Sequence, residues 1–451
     1  MRGVAYNLDN EVFLLKTLNN YKQSKEYEDI LTSYRYYKND QDINKKIRTG
    51  MGPNGSKIEI TNIPNNKVTD NRYAILVDQK KNYLLSRPVT FNCEDKKYSE
   101  LLKEFINKHF HKLLKNVGKD ALLAEMGYIY PYIDVDGEFK IMKFDPREIL
   151  PIWTDRTHSK LQSFLRFYKI TDYETDKDSE VVEYYHINGI SSYIVENGRL
   201  KLQSEQPYFM LGDTAYSWGQ IPLIFFKCDE EEQPLLNRVK SLQDAINTIL
   251  SRFLDDAEED SRNTVVVLKN LGGLNTEQLQ QLRANMTKAG IISVTGDADV
   301  STLSIKIDVN NYKEVLMILK KAIIDNGRGI DSDNDIFRSA PNQMAIQSMY
   351  TEIELDANEM ETEFKVSLIK LLDFFNIANN IRPSKPVEFI FDRDVLINES
   401  SAIENAKNSA GLVSEKTIVA NHPWVTDIED ELTQMHKESI EVKDYDGVLE
   451  E

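Results

Sequence analysis

A chain of 451 residues with 41% hydrophobic residues is long enough to bury a core and to form more than one domain. Its formal net charge of −18 argues against broad neutralisation of phosphates, so any contact with nucleic acid should be local. The two cysteines, Cys93 and Cys228, have no nearby cysteine partner, which excludes a small disulfide scaffold and favours a reducing cytoplasm. No window approaches the ~20 apolar residues of a membrane span and no export signal is evident, so we expect a soluble protein without membrane contact.

The N-terminal third mixes helix and strand. Apolar residues within 67–85 predict a helix that ends before Arg87 and Pro88, and residues 89–92 should be extended. Residues 98–117 predict one amphipathic helix. Residues 128–133 and 138–144 flank the Asp136–Gly137 pair, which favours a tight hairpin turn. Further strands are predicted at 161–170, 181–187, 192–195 and 223–227, so this region should be a mostly antiparallel sheet with helices packed on it.

A long helix is predicted at residues 237–263, which contain neither proline nor glycine. Its acidic end, which begins with Asp255, cannot be buried without partners. A compact insert follows, with strands at 264–269, 291–294 and 303–309 and a helix at 276–289, and a second helix then returns. The first helix carries a narrow apolar stripe at spacings of three and four, formed by Val239, Leu242, Ile246, Ile249 and Phe253.

The C-terminal part is dominated by helix. Residues 327–342 contain two glycines, a proline and several Asp, Asn and Ser residues, which predicts a loop. A long helix without glycine or proline is predicted from Gln343 to about Ile377, followed by a strand at 387–391 and a helical tail at 402–437. The fold class is therefore α+β.

Three motif-like patterns fail on their context. The pattern GxGxxG at residues 50–55 has no preceding apolar strand and contains a proline, so it indicates a plain loop. Asp331, Asp333 and Asp335 have the spacing of the first three ligands of a calcium-binding loop. The sixth and twelfth positions, which need Gly and Glu, hold Ile and Asn, so the pattern indicates a solvated acidic loop. His109 and His111 point in different directions on a predicted helix and cannot easily share a metal. Without a P-loop, nucleophile elbow, HExxH or cysteine-pair motif, we expect no catalytic, cofactor or metal site.

Four segments resemble the portal proteins of tailed bacteriophages of the SPP1 type, in the order that the family has them. They are residues 82–91 (NYLLSRPVTF), 127–155 (GYIYPYIDVDGEFKIMKFDPREILPIWTD), 349–364 (MYTEIELDANEMETEF) and 411–424 (GLVSEKTIVANHPW). Each segment alone is weakly specific, but together they extend over most of the chain. The resemblance implies the phage portal fold, assembled as a dodecameric ring.

By position, the resemblance divides the chain into the parts of a portal subunit. It implies a first part of the wing at residues 1–237, stem helices at 238–262 and 311–326, and a small α/β clip at 263–310. A tunnel loop would follow at 327–342, then the long wing helix with a returning strand at 343–399 and a helical crown at 400–451. The short acidic tail after Trp424 would make this crown smaller than in longer relatives.

The resemblance also implies roles for two sets of residues. The apolar stripes of paired stem helices would contact neighbouring subunits in a ring, although the chain's own core accounts equally well for any single residue. This stem interface set is Val239, Leu242, Ile246, Ile249, Phe253, Val315 and Leu319. Carboxylates of the tunnel loop would repel DNA phosphates, with sparse phosphate contacts from Arg328 or Arg338. The channel-facing set is Arg328, Asp331, Asp333, Asn334, Asp335 and Arg338.

The function that the resemblance implies is structural and not enzymatic, and it needs no cofactor. The ring would stand at one capsid vertex of the virion, after assembly in the host cytoplasm, and double-stranded DNA would be packaged and ejected through it without sequence specificity. It would nucleate procapsid assembly with scaffolding and major capsid proteins, dock the terminase large subunit and later bind head-completion or adaptor proteins. Two alternatives are another head–tail connector ring, which would lack paired helices around an insert, and a metal-dependent nuclease, which needs carboxylates that converge in space.

Overall fold

The computed structural model describes residues 10–51, 56–61, 63–173, 176–260, 264–269, 275, 277–278, 280–281, 299–304, 309–331, 343–393, 399–420, 422, 424–425 and 431–438. The chain separates into two compact units. The first unit comprises Met1–Tyr34, Ile75–Arg238 and Ile324–Glu451, and the second comprises Arg35–Ala74 and Val239–Ile323. Within the described residues, no helix is long and apolar enough to cross a lipid bilayer.

The described chain combines α-helices with antiparallel sheets, and strands β4–β13 follow one another without an intervening α-helix, so the α+β fold class is confirmed. The helices are α1 (Asn10–Lys22), α2 (Lys25–Tyr37), α3 (Arg72–Leu85), α4 (Lys96–Phe105), α5 (Lys108–Leu123), α6 (Leu236–Asp260), α7 (Val309–Gly327), α8 (Gln343–Ala378), α9 (Glu399–Asn408) and α10 (Glu415–Ala420). The strands are β1 (Thr49–Met51), β2 (Lys57–Glu59), β3 (Thr90–Asn92), β4 (Met126–Ile133), β5 (Phe139–Phe144), β6 (Ile149–Trp153), β7 (Leu161–Asp172), β8 (Lys177–His186), β9 (Gly189–Glu196), β10 (Arg199–Gln206), β11 (Phe209–Leu211), β12 (Thr214–Tyr216), β13 (Ile224–Lys227), β14 (Thr264–Lys269), β15 (Asp299–Ser304) and β16 (Glu388–Ile390).

The first unit contains two larger antiparallel sheets and the two-stranded pairs β11–β12 and β3–β16. One is a five-stranded meander in the order β10-β9-β8-β7-β6, against which α1 packs through the buried side chains of Leu14 and Leu18. The other has the order β13-β4-β5 and lies against the long helix α8. The ring of Phe226 on β13 meets that of Phe364 on α8 at 5.0 Å, and both side chains are fully buried. The inner face of α8 therefore forms part of the largest core.

The second unit contains most of α6, most of α7 and two short antiparallel pairs. Strands β1 and β2 pair from Thr49 opposite Glu59 to Met51 opposite Lys57, and β14 pairs with β15 over six residues. Helices α6 and α7 contact each other where the ring of Phe253 lies 5.2 Å from that of Tyr312. The Tyr312 hydroxyl also donates to Asp256 at 2.7 Å.

Most elements lie where the sequence predicted them. Helix α8 begins at Gln343, the residue predicted for its start, and ends at Ala378, one residue beyond the predicted end. The hairpin of β4 and β5 turns at Gly137, whose positive φ of 81° suits glycine. The predicted strands that correspond to β3, β7, β8, β9, β13, β14 and β16 are all present. The sequence did not predict β6, β10, β11 and β12.

Four predictions need correction. The helix predicted at 98–117 is two helices, because the Asn107 side chain accepts hydrogen bonds from the amides of His109 and Phe110 and so caps a new helix. The helix predicted from residue 67 starts only at Arg72. Of the loop predicted at residues 50–55, Gly50 and Met51 belong to strand β1, and residues 52–55 lie outside the described residues. The helical tail is interrupted at Gly411, whose φ of +83° ends regular helix.

The insert between α6 and α7 also differs from its prediction. The strand predicted at 303–309 begins earlier, at Asp299, and Val309 is already the first residue of α7. Of the helix predicted at 276–289, residues 277–278 and 280–281 are described and are helical. The strand predicted at 291–294 lies outside the described residues.

Candidate functional site

The start of the predicted tunnel loop has a defined structure, which we call the loop root (residues 327–331). Helix α7 ends at Gly327, and Arg328 then adopts a positive φ of 49° that turns the chain away from the helix axis. Residues 329–331 have no regular secondary structure. The other four residues of the predicted channel-facing set, Asp333, Asn334, Asp335 and Arg338, lie outside the described residues.

The Gln79 side chain of helix α3 holds the loop root by pairing with the backbone of Ile330, as a residue of a neighbouring strand would. The Gln79 amide nitrogen donates to the carbonyl of Ile330 at 2.9 Å, and the N–H of Ile330 donates to the Gln79 amide oxygen at 3.1 Å. Both backbone polar groups of Ile330 are thereby satisfied at one position. Glycine eases this close approach: a Cβ atom on Gly329 would lie 2.3 Å from a methyl group of Leu76, and one on Gly327 would lie 2.6 Å from one, so the Leu76 side chain would have to shift.

A second anchor joins the loop root to helix α8 through Asp356. The Arg328 guanidinium lies 2.6 Å from this carboxylate, the buried Lys80 ammonium also pairs with it, and Arg238 lies 3.7 Å away. Burial alone would raise the pKa of Asp356, but Lys80 and Arg328 outweigh burial and hold that pKa below its usual value. The carboxylate is therefore ionised at neutral pH and ties α3, α8 and the loop root together.

A small cavity adjoins this ion-pair cluster. It has a volume of about 40 Å³ and is lined by Lys80, Cys228, Asp229, Arg238, Asp356 and Glu359, among others. That volume admits about two or three water molecules and no organic cofactor. Burial and nearby carboxylates raise the pKa of Glu359. Among the described residues, no group of three or more His, Cys, Asp or Glu side chains could hold a metal ion.

The predicted stem interface set is divided between buried and exposed positions. Val239 and Ile246 on α6 are fully buried within the single chain, and Leu242, Ile249 and Phe253 are partly buried. On α7, Leu319 is partly buried and Val315 is 43% exposed. Fully buried side chains cannot touch a second subunit directly, so Val315 and the partly buried positions are those that remain available for such a contact.

A row of buried polar side chains on α6 was not predicted. Gln243, Asn247, Ser251 and Asp255 follow one another at four-residue spacing, and each is at most 1% exposed. We call them the polar ladder. Each accepts a hydrogen bond from a backbone N–H group at 2.6–3.0 Å. The donors are Tyr73 for Gln243, Asp70 for Asn247, Val68 for Ser251 and Asn66 for Asp255. The backbone of segment 66–70 is thus hydrogen-bonded to side chains of helix α6 and not to a neighbouring strand. Because these amides are engaged there, helix α3 begins only at Arg72, later than predicted.

The last rung of the polar ladder carries a buried charge. Asp255 also accepts hydrogen bonds from the Asn66 side chain at 3.0 Å and from the Lys46 ammonium at 2.9 Å. Burial alone would raise the pKa of Asp255, but the hydrogen bonds from Asn66 and Lys46 lower it. Asp255, where the acidic end of α6 begins, thus has the partners that its burial requires. The four-residue spacing of polar residues was the signal visible in the sequence.

Comparison with known proteins gives consistent matches along almost the whole chain. The family described as "Phage portal protein, SPP1 Gp6-like" matches residues 18–445. The portal protein of Bacillus phage SPP1 is 28% identical over 438 residues, covering 94% of this chain and 86% of that protein. The portal protein of Clostridium phage phiCD119 is 25% identical over 429 residues, covering 89% of this chain and 91% of that protein. A solved chain from "Neck of empty GTA particle computed with C6 symmetry" is 12% identical, with a TM-score of 0.46, and the alignment covers 77% of this chain and 89% of that chain.

Proposed function

Because the chain belongs to the SPP1-type family of phage portal proteins, we propose that twelve copies of it form the ring at one capsid vertex through which viral DNA is packaged and ejected. The observation that carries this proposal is the order of elements from Leu236 onward: helix α6, the β14–β15 pair, helix α7, the loop root and the 36-residue helix α8. This order fits two stem helices around a clip, followed by a tunnel loop and a wing helix. The family is structural and not catalytic.

We assign the parts of the ring to the chain as follows. Residues 238–262 and 311–326, which contain most of α6 and α7, are the stem, residues 263–310 are the clip, and residues 327–342 are the tunnel loop. Residues 1–237 and 343–399 supply the wing, and residues 400–451 supply the crown. Exposed apolar side chains on α7, including Val315 at 43% and Ile318 at 66% exposure, support a stem surface that contacts the next subunit.

The tunnel loop meets the DNA in this proposal. Asp331, Asp333 and Asp335 repel phosphates and let the duplex slide, because few counterions are released when few cations bind. Arg328 is paired with Asp356, so its first role is to fix the loop root, and a phosphate would have to compete with that carboxylate. Arg338 is then the residue for sparse phosphate contacts. The net charge of −18 supports a channel that does not bind DNA tightly.

Other components of the virion would dock on the same ring. We propose that the clip binds the terminase large subunit during packaging and head-completion or adaptor proteins afterwards, and that scaffolding and major capsid proteins assemble around the ring to start the procapsid. The ATP-driven step belongs to the terminase. Assembly would take place in the host cytoplasm, and the ring would remain in the virion.

Negative-stain electron microscopy of the purified chain, with mass photometry on the same sample, tests this proposal. Rings with a central channel, at a mass near twelve subunits, are the expected result. A chain that stays monomeric at high concentration would count against the ring. For the tunnel loop, we expect Asp331→Lys, Asp333→Lys and Asp335→Lys together to reduce DNA packaging or retention in infection, and unchanged packaging and retention would remove these residues from the channel.

A further inference from the structure

An open cleft in the first unit is lined by residues of helices α1 and α2 and of strands β4 and β6. Its volume of about 530 Å³ lies in the range of small-molecule sites. Five carboxylates line it from three parts of the chain: Glu26 and Asp29 on α2, Glu125 just before β4, and Glu231 and Glu232 between β13 and α6. We call this pocket the acidic cleft.

Glu125 is a partly buried carboxyl group without a partner. It makes no hydrogen bond or ion pair with any residue that the structure describes. Glu232, by contrast, is bonded to His158 at 2.5 Å and pairs with Lys227. Burial and then the negative charges of neighbouring carboxylates, Glu26 first among them, raise the pKa of Glu125 from 4.5 to about 7. A positive charge beside Glu125 would therefore stabilise its ionised form.

Two tyrosine hydroxyls of the acidic cleft also lack a hydrogen-bond partner among the described residues. Tyr128 on β4 is only 6% exposed and lines the cleft. Tyr21, at the end of α1, is partly buried, and its ring packs against that of Tyr27 at 5.1 Å. Burial raises the pKa of both hydroxyls, and the nearby Glu125 raises them further, so both stay neutral. Because buried hydroxyls are normally hydrogen-bonded, these two indicate a ligand that the cleft can hold.

We infer that the acidic cleft binds a primary ammonium group, with the Glu125 carboxylate as its charge partner and the hydroxyl oxygens of Tyr21 and Tyr128 as further acceptors. An alkylammonium group has three N–H donors and no acceptor, so it matches one carboxylate and two hydroxyls. The faces of tyrosine rings also attract cations. The exposed Glu26 and Glu231 add a longer-range attraction for positive charge. This site does not depend on the formation of a ring.

Other occupants fit the acidic cleft less well. Within the described part of the chain, no three His, Cys, Asp or Glu side chains converge so that they could hold a metal ion. Ordered water satisfies hydroxyls but brings no positive charge to Glu125. A guanidinium prefers two parallel bonds to one carboxylate, which leaves the hydroxyls aside. Lys25 of α2 lines the cleft too, but it is exposed and forms no ion pair with a described residue.

Calorimetric titration of the full-length protein with spermidine at pH 8 tests the inference. We expect one site per subunit, with a dissociation constant that rises at least about tenfold in Glu125→Gln and in Tyr128→Phe, because each loses a bond to a charged group. Glu28→Gln is the matched control, since it removes the same charge from an exposed position of α2 outside the cleft. Tyr128→Phe removes a hydroxyl that has no partner, so its thermal midpoint should not fall, which separates lost binding from lost folding.

The pH dependence of binding gives a second readout. Alkylamines stay protonated between about pH 5.5 and 8, so spermidine should bind more tightly as the pH rises and Glu125 ionises. Glu125→Gln retains Lys25, His158 and the other carboxylates of the cleft, so loss of the pH dependence in this variant assigns it to Glu125.

A second ligand distinguishes the two sources of an ammonium group. Binding of spermidine but not of the acetylated, amidated tripeptide Gly-Lys-Gly assigns the acidic cleft to a free polyamine, and binding of the tripeptide as well assigns it to a lysine side chain of a partner. Equal affinity of wild type and Glu125→Gln for both ligands would overturn the inference. Binding that appears only in Lys25→Ala would also overturn it, because Lys25 would then occupy the cleft itself.

Discussion

Removal of the last rung of the polar ladder should loosen the second unit locally. Asp255→Ala leaves the Lys46 ammonium and the backbone N–H of Asn66 without their acceptor. Breaking a fully buried ion pair costs about 3–5 kcal/mol, and an unsatisfied buried N–H costs about 1–3 kcal/mol. The Lys46 side chain is 22% exposed and can regain water, so we expect a net loss near the lower end, about 3 kcal/mol.

Amide hydrogen exchange reports the free energy of local opening at individual residues, so it can measure this loss of stability in segment 66–70 itself. Global unfolding is less suitable, because a chain with two units need not unfold in a two-state transition. A loss of about 3 kcal/mol corresponds to roughly 150-fold lower protection. We expect that decrease for the amides of Asn66, Val68 and Asp70. Arg252→Ala, which removes an exposed side chain of the same helix, serves as the control and should change protection little. Equal protection in Asp255→Ala and wild type would refute the ladder as the anchor of segment 66–70.

Three further changes test the loop root and one buried acid. Gly329→Ala should lower the thermal midpoint by the equivalent of about 1–3 kcal/mol through its clash with Leu76, and the same substitution should cost less in a Leu76→Ala background; an equal cost in both backgrounds would contradict the clash. Asp356→Ala should destabilise by about 3–5 kcal/mol because it leaves a buried lysine unpaired, whereas Asp356→Asn keeps the shape and should cost less. Burial raises the pKa of Glu125 from 4.5 to about 7, so stability should fall as the pH rises between these values. Glu125→Gln should therefore gain about 1–3 kcal/mol at pH 8 and nothing at pH 4.5, and equal gains at both pH values would contradict the shift.

The elements that the sequence predicted best are those whose signals are local. Helix α8 has 36 residues without glycine or proline, and its inward face repeats at helical spacing, so its start was found to the residue. The β4–β5 hairpin was visible because Gly137 follows Asp136 between two apolar runs. In both cases the residues that decide the structure are neighbours in the sequence.

The elements that escaped prediction depend on contacts between distant residues. Nothing near residue 67 indicates that its chain stays extended, because the acceptors of segment 66–70 lie on α6, more than 170 residues away. The break at Asn107 was a local signal, but the apolar spacing on both sides of it continued and concealed the cap. The loop root depends likewise on Gln79, which lies 251 residues before Ile330.

The polar ladder fixes the number of residues in segment 66–70, whose backbone it binds. Four residues of helix advance about 6.0 Å, and two residues of strand advance about 6.6 Å, so successive rungs on α6 keep step with alternate amides of segment 66–70. A deletion of one residue in that segment would turn every following amide away from its acceptor. The amides and their acceptors would match again only if two residues were removed from the segment together with four from helix α6. Segment 66–70 and helix α6 should therefore tolerate substitutions far better than insertions or deletions.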